Sequence, residues 1–439
     1  MRLYKFQQKF RVTNATDFID KMLNWAEQFG IFLFLNNNGY TQCPPHRFDW
    51  LLGAGAGHFR QFTSERPLLS TVDFEEELSP PIWLGHIAYD YKNFLEKSLQ
   101  TRLSATHEFL PWFFFVPQIL LTWSQKEKTC TIACDDANPE EIFSAIQSMT
   151  ETDVKWIKPA WEKKEEKTDY LKSIQRLKHH IVDGDCYEIN YCVEQSAHKN
   201  LKKLHVPHLY QNLMRHNHSP FSALYKNGSQ YVISATPERF LGGDAKRVFS
   251  QPMKGTIARG KSEQDDIILK NKLQNSEKDK AENAMITDLV RSDLAKSCEV
   301  GSIHVPRYLE VQTFPKVHQM VSTIEGKIQK GISWAKLIEN AFPMGSMTGA
   351  PKVKVMELID RYERSARGLF SGTLGYVEAS GRFDFNVLIR SLFYDAETGV
   401  LSFQSGGAIT ADSHPEAEWE ELLLKGKVFS EILYPLRKY

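Results

Sequence analysis

Phe109–Trp123 is the most apolar stretch of this chain, and it limits what the remainder can build. It is too short to cross a bilayer as a helix, which needs about 20 residues, and Pro111 and Pro117 interrupt it. A segment so apolar must be covered on both faces, and a buried strand pair achieves that. The flanking sequence agrees with a β-rich start. Ile31–Leu35 reads Ile-Phe-Leu-Phe-Leu and runs into Asn36-Asn37-Asn38-Gly39, a strand followed by a turn. Trp83–Asp90 reads as another strand, with a close backbone approach at Gly85. Lys128–Cys134 alternates as a strand does, and Pro139–Met149 has helical spacing.

Around Trp161–Lys167 the composition turns to Trp-Glu-Lys-Lys-Glu-Glu-Lys, a solvated segment. It divides the chain into a β-rich part, 1–160, and a second part, 161–439, that carries the chemistry-bearing motifs. In the second part helices are expected at Asp169–Asp183, Lys272–Ala295, Ala335–Ala341, Pro351–Arg364 and Pro415–Leu433. Strands are expected at Tyr187–Val193, Gln230–Ser234, Gly368–Val377, Phe383–Tyr394 and Val400–Gln404, with Tyr308–Thr323 rich in strand. Ser413-His-Pro-Glu416 reads as a capping box for the last helix.

Charge excludes some functions. The chain has 54 basic and 54 acidic side chains, so no basic excess points to nucleic acid. Met1–Phe10 is too polar for a secretory signal. The six cysteines show no C-x-x-C spacing, so a zinc set is not expected and a reducing compartment is. Together these features predict a soluble, cytoplasmic protein.

The chemistry centres on Gln251–Gly260, Gln-Pro-Met-Lys-Gly-Thr-Ile-Ala-Arg-Gly. Pro252, Gly255 and Gly260 restrict or permit backbone angles so as to hold Lys254 on a rigid turn. Two helices then offer paired acids three residues apart, Asp279 with Glu282 and Glu418 with Glu421. Each pair alone is an ordinary solvated face; together they suit a hard divalent cation such as Mg²⁺. Gly345-Ser-Met-Thr-Gly-Ala-Pro-Lys352 leads into a helix, where backbone N–H groups, Ser346 and Thr348 favour an anion. Arg390 interrupts an apolar run and needs an anionic partner. Ser405-Gly-Gly-Ala408 would let backbone amides approach a carboxylate. Two anion sites and a divalent cation suggest a small dicarboxylate.

Glu282–Asp293, Phe342–Lys352, Gly368–Tyr376, Asp384–Ser391 and Ser405–Ala408 together resemble the chorismate-using enzymes. That family includes anthranilate, aminodeoxychorismate, isochorismate and salicylate synthases. The resemblance is strong over Asp169–Val428, with Gly85-His-Ile-Ala-Tyr-Asp90 the best match before it. It implies an α+β fold: a large, orthogonally packed β-sandwich with outer helices. It also implies that Glu282 and Glu421 ligate Mg²⁺ directly, with Asp279 and Glu418 acting through water. Arg390, Gly406 and Gly407 would hold the enolpyruvyl carboxylate of chorismate. Glu238 matches the acid that protonates the departing hydroxyl, and His318 matches the family's active-site histidine.

Two positions select the reaction within the family. Lys254 matches the lysine of the branch that aminates chorismate at C4, where anthranilate synthases carry alanine. Glu188 replaces the lysine that activates water in the isochorismate-forming branch and the glutamine usual in amine-adding members. The resemblance thus implies formation of 4-amino-4-deoxychorismate, with Lys254 attacking C2 before ammonia adds at C4. This chain has no convincing glutamine-hydrolysing motif, so a separate glutamine amidotransferase subunit would supply ammonia. A separate lyase would then complete 4-aminobenzoate for folate biosynthesis. A component of anthranilate synthase and a non-catalytic chorismate-family binding protein are the alternatives.

Overall fold

Trp112–Ser124 forms one long strand rather than the expected strand pair. It pairs along its length with Trp50–Gln61, and the register shift between Ala56 and His58 falls opposite Pro117, where a ladder donor is missing. Its first half also pairs with Ile82–Ile87 and its second half with Thr129–Cys134, so two arms of sheet branch from it. The computed structural model describes residues 4–433 apart from 41–46, 75–79, 100, 151–158, 199–200, 202–203 and 315. Cys43 and residues 151–158, ahead of the expected division at residue 160, lie outside the described residues.

The first arm runs from Trp50–Gln61 through Ile31–Asn36, Ser222–Asn227, Gln230–Ser234, Ser391–Asp395 and Val400–Ile409 to Glu188–Ala197. The second runs from Ile82–Ile87 through Thr373–Glu378, Phe383–Asn386, Arg239–Gly243 and Arg247–Gln251 to Val317–Lys327. Met253–Ala258 and His304–Thr313 flank that last strand. All of these pairings are antiparallel. The fold is α+β, as expected, and strands from both sides of residue 160 share the sheet.

Period-2 alternation explains the layers. Ile31 and Leu33 enter a core that also takes Phe114 from the branching strand and Leu241 and Phe385 from the second arm. Phe32 and Phe34 point the other way, into a core beneath the helices Ala15–Ala26 and Val206–His216. A smaller core joins Ile189 and Tyr191 to Leu358, Trp419 and Leu422.

The site uses four strands and four helices. These are β1 (Glu188–Ala197), β2 (Met253–Ala258), β3 (Val317–Lys327), β4 (Val400–Ile409), α1 (Glu263–Gln274), α2 (Glu277–Ala295), α3 (Lys352–Tyr362) and α4 (Pro415–Glu431). The single helix expected at Lys272–Ala295 is two helices, because the Ser276 side chain accepts from the Asp279 N–H and starts a new one. The strand expected at Phe383–Tyr394 is likewise two, Phe383–Asn386 and Ser391–Asp395, and the break ends at Arg390 with φ +50°. No capping box forms at α4. His414 is the N-cap, and the Ser413 hydroxyl donates to Glu418 Oε1 at 2.9 Å.

Gly85 sits where the Ile82–Ile87 strand presses on its neighbour, and an added Cβ would collide with the Phe113 carbonyl oxygen. Gly85→Ala is expected to destabilise the protein by roughly 1–3 kcal/mol in urea unfolding, as overpacking does. An unchanged midpoint would show that the branch point is loosely packed.

Candidate active site

Lys254 enters the site from a bulge. Met253 pairs with Val321 and Thr256 with Gln319, so β2 carries one residue more than β3 over this interval. Gly255 takes up the difference with φ +86°. The lysine thus stands in a bulged strand, not on an isolated turn. Its Nζ lies 2.9 Å from Glu188 Oε1 on β1, with the two side chains 12% and 2% exposed. This contact joins the far ends of the two sheet arms. Burial acts to lower the Lys254 pKa, but Glu188, Glu282 and Glu238 outweigh it and raise the value overall. The ammonium is therefore favoured here, the reverse of what a nucleophilic amine requires.

Glu188 is fixed because every residue of β1 is buried and Ala350 pairs beside it. Glu188 Oε2 is buried without a hydrogen-bond partner among the described residues, as is Ser346 Oγ. Glu238 completes the group. Burial pushes its carboxyl up to about 7, against the Ser346 hydroxyl, Lys254 and Arg390. Ser346 lies beside Glu238 but outside hydrogen-bond geometry. Burial lowers the Arg390 pKa and Glu238 opposes it. No hydrogen bond or ion pair of the Arg390 guanidinium is found among the described residues. Arg390, Glu238, Ser346, Lys254 and Glu188 thus share one buried polar region.

The acids of α2 continue its buried stripe of Ile286, Val290 and Leu294 toward the helix start, rather than lying on a solvated face. Asp279 packs against Gly255, where an added Cβ would meet its Oδ1 at 2.9 Å. Burial raises the Glu282 pKa, with Lys254 opposing and Glu188 reinforcing. On α4, Glu418 is buried and its Oε2 faces Gly407, while Glu421 is half-exposed and bound to Lys425 at 2.7 Å. Burial raises the Glu421 pKa, but Lys425, Lys278 and Lys254 together hold it below its ordinary value. Both helices therefore face Lys254 electrostatically. Among the described residues no three His, Cys, Asp or Glu side chains converge closely enough to hold an ion by themselves.

Gly406 and Gly407 lie on β4 opposite Cys192 and Tyr191. Gly406 is needed for packing, since a Cβ there would strike the Tyr191 carbonyl. Lys425 Nζ donates to the Gly406 carbonyl at 2.8 Å, which brings a cation beside the two glycines.

Two sequence expectations, for Thr348 and His318, need correction. The Thr348 hydroxyl donates to the Met344 and Gly345 carbonyls, so its proton shapes the loop and is not offered to an anion. Lys352 is bound to Asp293 and the Ala341 carbonyl inside the fold. His318 is turned toward α1: its Nδ1 is 3.0 Å from Thr313 Oγ1 and its Nε2 3.0 Å from Asp266 Oδ1. With both ring nitrogens engaged there, His318 braces α1 and makes no contact with Lys254, Glu188 or Glu238 among the described residues. Gln319, next along β3, points to the opposite face and donates to Thr256 on β2.

Sequence reasoning also missed Arg367 and Glu363. Arg367 donates to Glu363, to the Asn190 carbonyl at 2.8 Å and to the Met347 carbonyl at 2.6 Å, while Glu363 accepts the Cys192 N–H. This buried pair clamps the Ser346 loop onto β1. In sequence it sits within Arg361-Tyr-Glu-Arg-Ser-Ala-Arg367, which reads as a solvated helix end.

Fold and site define a chorismate-binding enzyme. Residues 51–431 match the family described as chorismate binding enzyme, and the chain belongs to that family. Among its relatives, the probable chloroplastic aminodeoxychorismate synthase of Oryza sativa subsp. japonica is 41% identical over 270 residues, covering 61% of this chain and 30% of the relative. Aminodeoxychorismate synthase component 1 of Salmonella typhimurium is 33% identical over 317 residues, covering 72% of this chain and 68% of the relative. The chain thus spans less than a third of the length of the rice protein. The fold is that of anthranilate synthase component I from Streptococcus pneumoniae, with TM-score 0.74 at 20% identity over 89% of this chain and 94% of that one. No described helix is long and apolar enough to cross a membrane.

The Glu238 carboxyl has a folded pKa of about 7 against 4.5 when unfolded. Between those values the native state binds more protons than the unfolded state, so this group's contribution to stability is present below pH 4.5 and lost as pH rises through 7. Glu238→Gln is expected to exceed the parent by about 1 kcal/mol or less at pH 5 and by about 3 kcal/mol at pH 8 in denaturant unfolding. Equal stabilities at pH 8 would show that the carboxyl ionises without penalty.

Proposed function

We propose that this chain is the chorismate-aminating component of an aminodeoxychorismate synthase, converting chorismate and ammonia to 4-amino-4-deoxychorismate. The observation that carries this reading is Lys254, held against Glu188 on the edge of a region that also contains Glu238 and the unpaired Arg390. The rice and Salmonella relatives bearing that activity in their names support it. The words "component 1" in the Salmonella relative's name fit a partner component, which we take to be a glutamine amidotransferase supplying ammonia.

The reaction must replace the C4 hydroxyl while keeping the new substituent on the same side of the ring. Two successive displacements achieve this. The Lys254 amine attacks C2 as the C4 hydroxyl leaves; ammonia then adds at C4 and expels the lysine from C2. Glu238 suits the role of general acid, because burial keeps a proton on it near neutral pH. Arg390 offers its unpaired guanidinium to one substrate carboxylate, in the planar geometry that arginine provides. Gly407 and Lys425 border the region where a second carboxylate would lie.

The all-oxygen donors of α2 and α4 fit Mg²⁺, which takes one or two protein carboxylates and leaves places for water and an anionic substrate. Glu282 and Glu421 would hold it directly and Asp279 and Glu418 through water, and when bound it supplies positive charge to the ring carboxylate. A free lysine near pKa ~10.4 is neutral in only about one molecule in 2,500 at pH 7. The bound ion would offset the acids that favour the Lys254 ammonium.

The test is the product formed from chorismate, Mg²⁺ and ammonium. Mass identification is expected to give 4-amino-4-deoxychorismate from the parent and none from Lys254→Ala, a loss of at least about 1,000-fold in rate. Anthranilate as product, or turnover by Lys254→Ala at the parent rate, would overturn the reading.

A further inference from the structure

We propose that Glu188 is the base that removes the proton from the Lys254 ammonium and later returns it. The inference rests on the reading of Lys254 as the attacking amine and goes beyond it, because that reading leaves the ammonium proton without a destination. Geometry limits the choice. Glu188 Oε1 lies 2.9 Å from Lys254 Nζ, within proton-transfer reach. No other hydrogen bond of the Lys254 ammonium is found among the described residues. Three other carboxylates face the lysine: Glu238, Glu282 and Glu421. Glu238 must carry a proton to the leaving hydroxyl and so cannot receive one at the same stage. Glu282 and Glu421 lie on the helices that face the cation site.

Glu188 also has room for the proton. Its Oε2 is buried and has no protein partner among the described residues, so the neutral acid loses no hydrogen bond on that side. Glu188 and Glu238 therefore divide the work of two carboxylates, one acting as base and one as acid.

Protons and bonds balance. The Lys254 ammonium gives its proton to Glu188, leaving a neutral amine and a neutral acid. The amine forms a C–N bond to C2 while the C4–O bond breaks, and the Glu238 proton leaves with the hydroxyl as water. Ammonia forms the C4–N bond as the C2–N bond breaks, and its electron pair returns to Lys254. The new C4 ammonium gives a proton to the Glu238 carboxylate, and Glu188 returns its proton to Lys254. The net change is chorismate plus ammonia to aminodeoxychorismate plus water.

Glu188→Gln keeps a carbonyl that can accept from Lys254 but cannot take its proton. With chorismate, Mg²⁺ and ammonium, the variant is expected to lose about 100-fold in kcat at pH 7 and to recover part of it as pH rises toward 9.5, where solvent replaces the base. Chorismate affinity, measured by tryptophan fluorescence, is expected to stay within about threefold of the parent, since the step lost is chemical and not binding. Glu188→Asp keeps a base, and should retain a parent-like pH profile at reduced rate. Circular dichroism on each variant excludes misfolding as the cause of a loss. A Glu188→Gln enzyme with the parent rate and pH profile would overturn the proposal, as would a loss that appears equally in chorismate affinity. Lys254→Ala assayed alongside separates the two readings: if it turns over at the parent rate, covalent catalysis itself fails. If it is inactive while Glu188→Gln is unimpaired, only the role of Glu188 fails.

Discussion

A buried lysine against a buried glutamate is the contact that the site depends on. Removing two charges from water is expensive, and a buried ion pair rarely repays the full desolvation. Lys254 and Glu188 also come from the terminal strands of two sheet arms that diverge at Trp112–Ser124. The fold commits one arm to the lysine and the other to its partner, so their separation is fixed by the packing of the whole sandwich. The bulge at Gly255 then sets the direction of the lysine. The Arg367–Glu363 clamp holds β1 against the Ser346 loop from behind. Substituting either charge alone would leave the other buried and unpaired, at a cost of about 3–5 kcal/mol.

Two acidic helices surround this pair, and their charges oppose what the chemistry needs. Glu188, Glu282 and Glu238 stabilise the ammonium. On the proposed reading, a bound cation would satisfy these acids and the substrate anions would meet Arg390 and Lys425, so that activation of the amine would be conditional on loading the site. A lysine kept protonated until the substrate arrives is also protected from reacting with other electrophiles.

Much of this was legible in the sequence wherever a short-range rule governs. Gln230–Ser234 is a strand, as its Tyr-Val-Ile run predicts, and the Ile31–Leu35 run buries both faces, as its continuous apolar character requires. Lys254, Glu238 and Arg390, singled out by their motifs, lie close enough to act on one another electrostatically. The misses share a cause, because each depends on a three-dimensional contact with no local signature. Ser276 ends one helix and begins another through a single side-chain hydrogen bond. Arg390 breaks an apolar run by adopting a left-handed backbone. His318 and Gln319 differ by one position along a strand, and strand alternation sends them to opposite faces. Glu421 is half-exposed whereas Glu418 is buried, because helix rotation against β4 is not readable from three-residue spacing.

The central claim is that the Lys254 nitrogen becomes bonded to the substrate. Its most direct test is peptide mass spectrometry after acid quench of the enzyme with chorismate and Mg²⁺, ammonia withheld. The account predicts that the peptide containing Lys254 gains the mass of chorismate less one water, and that adding ammonia discharges it as product. An unmodified Lys254 peptide, in enzyme that forms aminodeoxychorismate as soon as ammonia is added, would contradict it.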